Sequence, residues 1–222
     1  MNIEFLRHAI THSSTHRTAQ LVECYRNVFA DKPWNEWVRC SICGKYWGLE
    51  DYEHLLSINF VHCELPVVDF WHRSTVISDL RHEITGDASC WLAVDGDNVI
   101  GFTWGYPILL PEIEKKLMIP FGPEAIRDLS PDALVAYQDE VGVIASHRNK
   151  KIAKGLVLRR HRDFLAQGLT FGIVRTREYP IPSETFLWYT QKLDYQILAR
   201  YPDGDGRIVL GRSFIGLEEM LT

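Results

Sequence analysis

A basic segment at a predicted strand-to-helix junction has the clearest chemical meaning in this chain. Between Arg148 and Arg162 the sequence has seven Lys and Arg residues and no acidic residue. Residues 141–158, VGVIASHRNKKIAKGLVL, read as a strand, a short basic loop and a helix. The first turn of a helix has unpaired N–H groups and partial positive charge, which the basic side chains increase. The pattern indicates a site for a phosphate-bearing ligand; the alternative is a solvated basic face of a surface helix.

Two cysteines, Cys40 and Cys43, have C-x-x-C spacing and are followed by glycine. Two thiolates from one tight turn can share a tetrahedral metal ion, so the spacing predicts half of a structural zinc site. Cys63 and the adjacent His62 can complete the ligand set. Two other histidines lie within ligand range in the sequence, His54 and His72. The alternative is that these cysteines are free thiols buried in the core.

Composition limits the class of protein. With 222 residues, 46% hydrophobic and 24% charged, the chain is predicted to form one globular domain with a substantial core. The net charge of −5 disfavours a surface devoted to nucleic acid. The sequence has neither an apolar run of membrane-spanning length nor an export signal, so we expect no membrane association and a cytoplasmic location.

Hydrophobic periodicity predicts the elements that position these groups. In chain order they are a helix over 18–29, a hairpin of strands 90–94 and 99–104, a strand over 135–145, a helix over 152–167, a strand over 170–176, a helix over 184–193, and strands over 195–201 and 207–214. Region 34–81 is rich in Cys, His and Trp, with weak periodicity. The proline-rich region 107–131 contains a short charged helix candidate over 112–118 and reads as an inserted loop more than as core. This order predicts a single domain over 1–222, with an α/β sheet of mixed direction.

The loop in the basic segment resembles a family motif. Residues 143–153 are similar to V-x-P-x-x-R-G-x-G-x-G/A, the coenzyme A motif of the GNAT superfamily (Gcn5-related N-acetyltransferases). The matching residues are Val143, Arg148, Ile152 and Ala153. Asn149 and Lys151 stand where the family usually has glycine, and Ala145 where it often has proline. Because lysine resists the backbone angles that glycine allows, we expect this loop to bind more through side-chain charge than through its amides.

Other segments resemble the same family in the same order. WLAVDGDNVIGFTWG at 91–105 is similar to its second and third strands. Residues 19–37, which end in VFADKPWNEW, are similar to the first helix and following turn of some bacterial members. YTQKLDY at 189–195 is similar to its F/L-Y-E-K-L-G-F signature. The resemblance implies a GNAT-like, mixed but mostly antiparallel central sheet flanked by helices, with residues 34–81 as a Cys/His-rich elaboration after the first helix.

The resemblance also implies a function. The chain would be an N-acetyltransferase that uses acetyl-CoA as cosubstrate and passes its acetyl group to an unidentified amine acceptor by direct attack in a ternary complex. A backbone N–H around 143–145 would polarise the thioester carbonyl. The residues implied to contact the cosubstrate are Val141, Val143, Arg148, Asn149, Lys150, Lys151, Ile152, Ala153 and Lys154.

Proton transfer in the family implies further candidates. Asp139 and Glu140 are candidates for the base that deprotonates the acceptor; the alternative is two solvated carboxylates at a strand entrance. Thr190 aligns with the family tyrosine that protonates the departing thiolate, and Tyr189 lies one residue earlier. The alternative for Tyr189 is a core tyrosine.

Two other functions are compatible with the sequence. The first is a non-catalytic acyl-CoA-binding module of the same fold, which the lysine at position 151 and the threonine at position 190 would explain. The second is a nucleic-acid-binding protein that combines a zinc knuckle with the basic helix, although the net acidity disfavours it.

Overall fold

The computed structural model describes residues 2–10, 16–32, 34–58, 62–64, 67–179 and 182–216. The strands in these ranges are β1 (Ile3–Arg7), β2 (Val38–Arg39), β3 (Tyr46–Trp47), β4 (Val68–Asp69), β5 (Ser89–Asp95), β6 (Asn98–Leu109), β7 (Leu134–Val143), β8 (Phe171–Arg177), β9 (Gln196–Arg200) and β10 (Arg207–Ser213). The helices are α1 (His16–Ala30), α2 (Leu49–Ser57), α3 (Arg73–Glu83), α4 (Leu110–Leu117), α5 (Ile152–Ala166) and α6 (Glu184–Gln191). No helix in the described part of the chain is long and apolar enough to cross a membrane.

Seven strands form the main sheet, in the order β1-β5-β6-β7-β8-β10-β9. Its neighbouring strands pair antiparallel except β7 and β8, which are parallel. A parallel pair needs a long crossover connection, and α5 forms that connection here. The prediction of a mixed, mostly antiparallel central sheet flanked by helices is confirmed.

Helices cover both faces of the sheet at β6. Alternate side chains of a strand point to opposite faces. Phe102 and Trp104 face α1, where their rings lie 5.7 and 5.8 Å from the ring of Tyr25. Thr103 faces α5, and its Oγ1 accepts a hydrogen bond from Arg160 Nη1 at 2.7 Å. Helices α1 and α5 therefore hold β6 and its neighbour β7 between them.

The prediction of an inserted loop over 107–131 needs correction. Strand β6 extends into this region, and α4 follows with Pro111 in its first turn. Proline is tolerated there because the N–H groups of the first turn have no hydrogen-bond partner within the helix. Leu110, Ile113 and Leu117 are at most 3% exposed and pack in a core cluster with residues of β7, β8 and β10. These positions share one helix face, so the region is part of the core.

Region 34–81 contains a second, smaller sheet, with strand order β3-β2-β4 and both pairs antiparallel. Each of its strands is two residues long, which is too short for a recognisable alternation in the sequence. Arg26 of α1 fastens the sheet to the main body: its Nη2 lies 2.8 Å from Asp69 Oδ2, and its guanidinium lies 5.0 Å from the ring centre of Trp37.

Candidate active site

Strands β7 and β8 separate shortly after they meet. They pair only at Ala136 with Gly172 and Tyr137 with Ile173. Just beyond these pairs, two residues of β7 lie opposite the single residue Gly105 of β6, which makes a β-bulge. A bulge bends its strand and ends local pairing. The carboxyl-terminal halves of β7 and β8 therefore diverge and leave an opening between them.

A cavity of about 370 Å³ lies at this opening, and a smaller one of about 160 Å³ adjoins it. We call the two together the β7–β8 cavity. The residues common to both parts are Tyr25, Trp71, Asp139, Glu140 and Arg175. Strands β7 and β8 form the floor, while α1, α3 and the segments on either side of the small sheet form the walls.

Carboxyl groups are clustered at the smaller part of the cavity. Lys116 Nζ lies 3.1 Å from Glu83 Oε1 and 3.7 Å from Asp139 Oδ2, so one cation bridges two acids. Trp104 Nε1 donates to Glu83 Oε2 at 3.0 Å, and Tyr106 OH donates to Asp139 Oδ2 at 3.0 Å. These contacts hold the carboxylates of Glu83 and Asp139 in place. Glu140 follows Asp139 directly in β7.

Burial and a neighbouring negative charge raise the pKa values of Glu83 and Glu140. Burial, and then the negative charge of Asp139, raise the pKa of Glu83 to about 7. The same two causes raise the pKa of Glu140 well above its usual range. A carboxyl group whose pKa approaches neutrality is suited to accept a proton from a substrate, because its basicity matches the working pH.

Aromatic rings line the rest of the cavity. The ring of Trp71 lies 5.5 Å from that of Tyr25, nearly perpendicular to it, and its Nε1 donates to Glu36 Oε2 at 2.9 Å. The other aromatic side chains in the lining are Phe29, Trp34, Phe70 and Trp104. Aromatic faces beside carboxylates favour a ligand that combines a positive charge with apolar surface.

The loop before α5 has an unusual backbone. Asn149 and Lys151, which stand where the family motif has glycine, have φ values of +63° and +61°. Left-handed residues alternating along a loop can turn successive N–H groups toward one point and form an anion site. The expectation that Lys151 would keep the loop from a glycine-like backbone is therefore corrected. The rest of the fold holds this lysine in the left-handed region.

The backbone N–H groups near the end of β7 point in alternate directions. Ile144 N donates to Ile100 O of β6 at 3.0 Å. In an antiparallel pair, alternate residues direct their N–H groups to opposite edges, so those of Val143 and Val141 face the opening toward β8. Arg148 Nε donates to Val143 O at 3.1 Å and connects the loop to this strand.

Three solved structures share this architecture. An arylalkylamine N-acetyltransferase-like protein of mosquito, 5b, matches with a TM-score of 0.56 and 10% identity over 96% of this chain and 100% of its own. PaiA N-acetyltransferase from Thermoplasma acidophilum, solved with coenzyme A, matches with a TM-score of 0.52 and 13% identity over 96% and 99%. A protein from Desulfovibrio desulfuricans, described as an acetyltransferase of the GNAT family, matches with a TM-score of 0.55 and 10% identity over 96% and 99%. This chain has the GNAT fold.

The likeness is one of structure alone. No protein-family model matches the sequence, and no curated protein matches it. The resemblance of the motifs to GNAT sequences is thus supported at the level of the fold, where the matches cover nearly the whole chain.

Within the GNAT fold, the predicted cosubstrate residues lie together at the end of β7 and the start of α5. Lys150 is exposed, and its Nζ donates to Ser146 O at 3.0 Å. Ile152 is 3% exposed and packs in the core, while Ala153 and Lys154 are partly buried in the first turn of α5. This turn places its backbone amides and basic side chains at the start of the helix.

The two predicted acids on α6 do not line the β7–β8 cavity. Tyr189 is fully buried: its hydroxyl accepts from Arg160 Nη2 at 2.8 Å and donates to Gln138 Oε1 at 3.1 Å. Thr190 Oγ1 donates to Phe186 O at 2.7 Å, within its own helix. In this position the Tyr189 hydroxyl contributes to a core hydrogen-bond network beneath the opening.

The cysteine and histidine candidates converge at a separate place. One ligand atom from each of four residues lies within 4.8 Å of the other three: Cys40, Cys43, His62 and Cys63. The alternative histidines are elsewhere, His54 on α2 and His72 before α3. The structure thus brings together the four residues that the C-x-x-C spacing and its neighbours suggested.

Sequence reasoning missed several groups of this site, Glu83 and Arg160 among them. Glu83 ends α3, and nothing in the sequence relates it to β7. Arg160 was counted with the basic surface segment, yet it is fully buried and donates to Thr103, Trp104, Glu140, Gln138 and Tyr189. A signal for Arg160 existed: it lies four residues from Leu156 and from Phe164, on the buried face of α5.

Proposed function

We propose that this chain is an acyl-CoA-dependent N-acyltransferase that moves an acetyl group from acetyl-CoA to an amine. One observation carries the proposal: an acidic, aromatic-walled cavity opens between β7 and β8, and the left-handed loop at the start of α5 follows the end of β7. PaiA is named an N-acetyltransferase and the mosquito protein is named arylalkylamine N-acetyltransferase-like; PaiA was solved with coenzyme A, which supports the same cosubstrate here.

The cosubstrate diphosphate is assigned to the loop and first turn of α5. Left-handed Asn149 and Lys151 turn the loop so that its amides, with the unpaired N–H groups of the helix start, donate to phosphate oxygens. Lys150, Lys154 and Arg148 add positive charge at the same end, where the helix dipole also favours an anion. The pantetheine arm then extends along the open edge of β7.

The thioester is assigned to that edge. The N–H group of Val143 faces the opening and is the donor for the thioester carbonyl oxygen. Its hydrogen bond strengthens as negative charge develops on this oxygen during attack, which lowers the barrier. Because the strand fixes this donor in advance, no reorganisation is needed at the moment of reaction.

The acceptor is assigned to the β7–β8 cavity. Its carboxylates attract an ammonium group, and its aromatic rings contact the apolar part of the same molecule. Glu140, with Asp139 beside it, takes one proton from the ammonium. The free amine attacks the thioester carbon: a C–N bond forms, the C–S bond breaks, and the second amine proton ends on the coenzyme A sulfur.

The test is to incubate the purified chain with acetyl-CoA and a panel of amines. The panel contains arylalkylamines, aliphatic polyamines and peptides with a free amino terminus, and mass spectrometry identifies acetylated products. We expect acetylation of amines that carry an apolar or aromatic group. Binding of acetyl-CoA with no acetylated product from any amine would instead support the non-catalytic acyl-CoA-binding module.

A further inference from the structure

Four potential metal ligands converge in the region after α1, outside the cavity. The three thiol sulfurs and the imidazole nitrogen involved all lie within 4.8 Å of one another, and Cys43 Sγ is 3.2 Å from His62 Nε2. In a tetrahedral zinc site with bonds of about 2.0–2.3 Å, neighbouring ligand atoms are separated by roughly 3.3–3.8 Å. We propose that Cys40, Cys43, His62 and Cys63 bind one structural zinc ion that stabilises a wall of the β7–β8 cavity.

The turn that carries the first two cysteines is shaped for thiolates. Cys40 N donates to Lys45 O at 2.7 Å and Gly44 N donates to Cys40 O at 3.0 Å, which closes the turn. Gly44 has a φ of +74°, an angle that glycine adopts readily. Ile42 N donates to Cys40 Sγ at 3.4 Å. A backbone N–H directed at sulfur stabilises the charged thiolate, the form that binds a metal ion.

The second ligand pair lies on a strained backbone. Cys63 and Glu64 have φ values of +52° and +63°, a region in which residues with a β-carbon are strained. Metal–ligand bonds to His62 and Cys63 would offset that strain. The imidazole of His62 also packs nearly perpendicular to the ring of Trp47, with centroids 5.3 Å apart. The ring is thereby held beside the Cys43 sulfur.

The ligand set favours zinc in a structural role. Three thiolates and one imidazole in a tetrahedral arrangement suit zinc, and four protein ligands leave no position for a substrate or a reactive water. Two adjacent thiols could alternatively form a disulfide, but a disulfide uses neither the third cysteine nor the histidine. The cluster as a whole therefore fits a metal ion better than a disulfide.

The cluster lies at the edge of the small sheet. Residues 38–39 of β2 pair with both β3 and β4, and Phe70 N, just after β4, donates to Trp37 O at 3.0 Å. Phe70, Trp71 and Glu36 line the cavity. A zinc ion that joins the turn before β3 to residues 62–63 would thus fix the strands on which these side chains depend.

The first test is the zinc content of the full chain, purified without a histidine tag. We expect one zinc per chain by elemental analysis, and less than about a tenth of that in the double variant Cys43→Ser, Cys63→Ser. Cys24→Ala is the matched control, because Cys24 is buried in α1, away from the cluster, and this variant should retain its zinc. Absence of zinc from the wild-type chain, or its retention by the double variant, would overturn the proposal.

The second test concerns the wall and does not depend on catalysis. Hydrogen exchange followed by mass spectrometry is compared before and after zinc is removed with a chelator. We expect exchange in residues 37–47 and 68–71 to become at least tenfold faster, with β5, β6 and β7 unchanged, because only the small sheet loses its metal support. Equal exchange in the small sheet with and without zinc would exclude the role in the wall. If the chain transferred no acetyl group, the zinc content and the exchange rates would still test this proposal.

Discussion

Glu83, Asp139 and Glu140 place three carboxyl groups in a partly buried position around one lysine, Lys116. Burial of charge without full compensation lowers stability. Such a cluster inside a cavity marks a candidate functional site. The proposed reaction gives the cluster a function, because a carboxylate with a raised pKa is what an ammonium acceptor requires.

Ionisation of the Glu83 carboxyl group should make the folded chain less stable as the pH rises. The pKa of this group is about 7 in the folded chain, above the usual glutamate value of 4.5, so near pH 6 the folded state holds a proton that the unfolded state has lost. The contribution of Glu83 therefore lowers the free energy of unfolding as the pH rises from about 4.5 to about 7. Urea denaturation should show Glu83→Gln close to wild type at pH 5 and about 1–3 kcal/mol more stable at pH 8. The exposed Glu53→Gln should show no such gain, and a pH-independent difference for Glu83→Gln would contradict the assignment.

Lys151 should be a source of local strain. Its φ of +61° costs about 1–2 kcal/mol for a residue with a β-carbon. Lys151→Gly should therefore raise the free energy of unfolding by about 0.5–1 kcal/mol, after allowance for the greater freedom of glycine in the unfolded chain. Lys150→Gly is the matched control: the neighbouring lysine lacks a positive φ, so the same change should destabilise. Thermal denaturation of the two variants shows whether each change raises or lowers the stability of the chain.

Tyr189 distinguishes a core role from a catalytic one. Its buried hydroxyl bridges Arg160 and Gln138, so Tyr189→Phe should cost about 1–3 kcal/mol of stability and leave turnover within a few-fold of wild type. The exposed Tyr179→Phe should change neither quantity. A drop of tenfold or more in kcat at unchanged stability would restore Tyr189 as the acid that protonates the thiolate.

Helix α5 shows two uses of basic residues within one element. At its start, basic side chains and free N–H groups surround a proposed phosphate site. About two turns later Arg160 points inward and donates to carbonyl and side-chain oxygens around the β-bulge. A single basic stretch in the sequence therefore contains a surface part and a core part.

The helix start can be tested through one arginine. Arg148→Ala should weaken acetyl-CoA binding by roughly tenfold to a hundredfold, because a diphosphate loses a charge-assisted partner worth about 1.5–3 kcal/mol. Arg162→Ala removes the same charge from an exposed position far along α5 and should change affinity less than threefold. Isothermal titration calorimetry gives both dissociation constants. Equal affinities in the two variants would place the diphosphate elsewhere.

The long elements were predictable from the sequence because their periodicity spans several turns or residue pairs. Helix α5 begins at the predicted residue and ends one residue early, at Ala166, and the predicted hairpin is β5 and β6. The strands of the small sheet were not predictable, since two residues carry no alternation. Strand β1 was also missed, because its pairing with β5 is a long-range contact that its own residues do not signal.

At the scale of the whole molecule, the cavity combines segments that are distant in the sequence. Helix α1 and the small sheet supply aromatic rings, α3 supplies Glu83, and β7 supplies Asp139 and Glu140. The sequence motif pointed to the two β7 residues because they precede the loop along the chain. Glu83 joins them only through the packing of α3 against the sheet, so no local pattern could reveal it.

The most direct test of acyl transfer in the β7–β8 cavity is the rate of thiol release from acetyl-CoA, measured with and without amine for wild type and Glu140→Gln. The wild-type rate should depend on the amine, and Glu140→Gln should lower kcat by roughly a hundredfold to ten-thousandfold with acetyl-CoA affinity unchanged, since it removes the proton acceptor but little volume. Glu53→Gln should match wild type. Equal kcat in wild type and Glu140→Gln, or thiol release that needs no amine, would contradict the account.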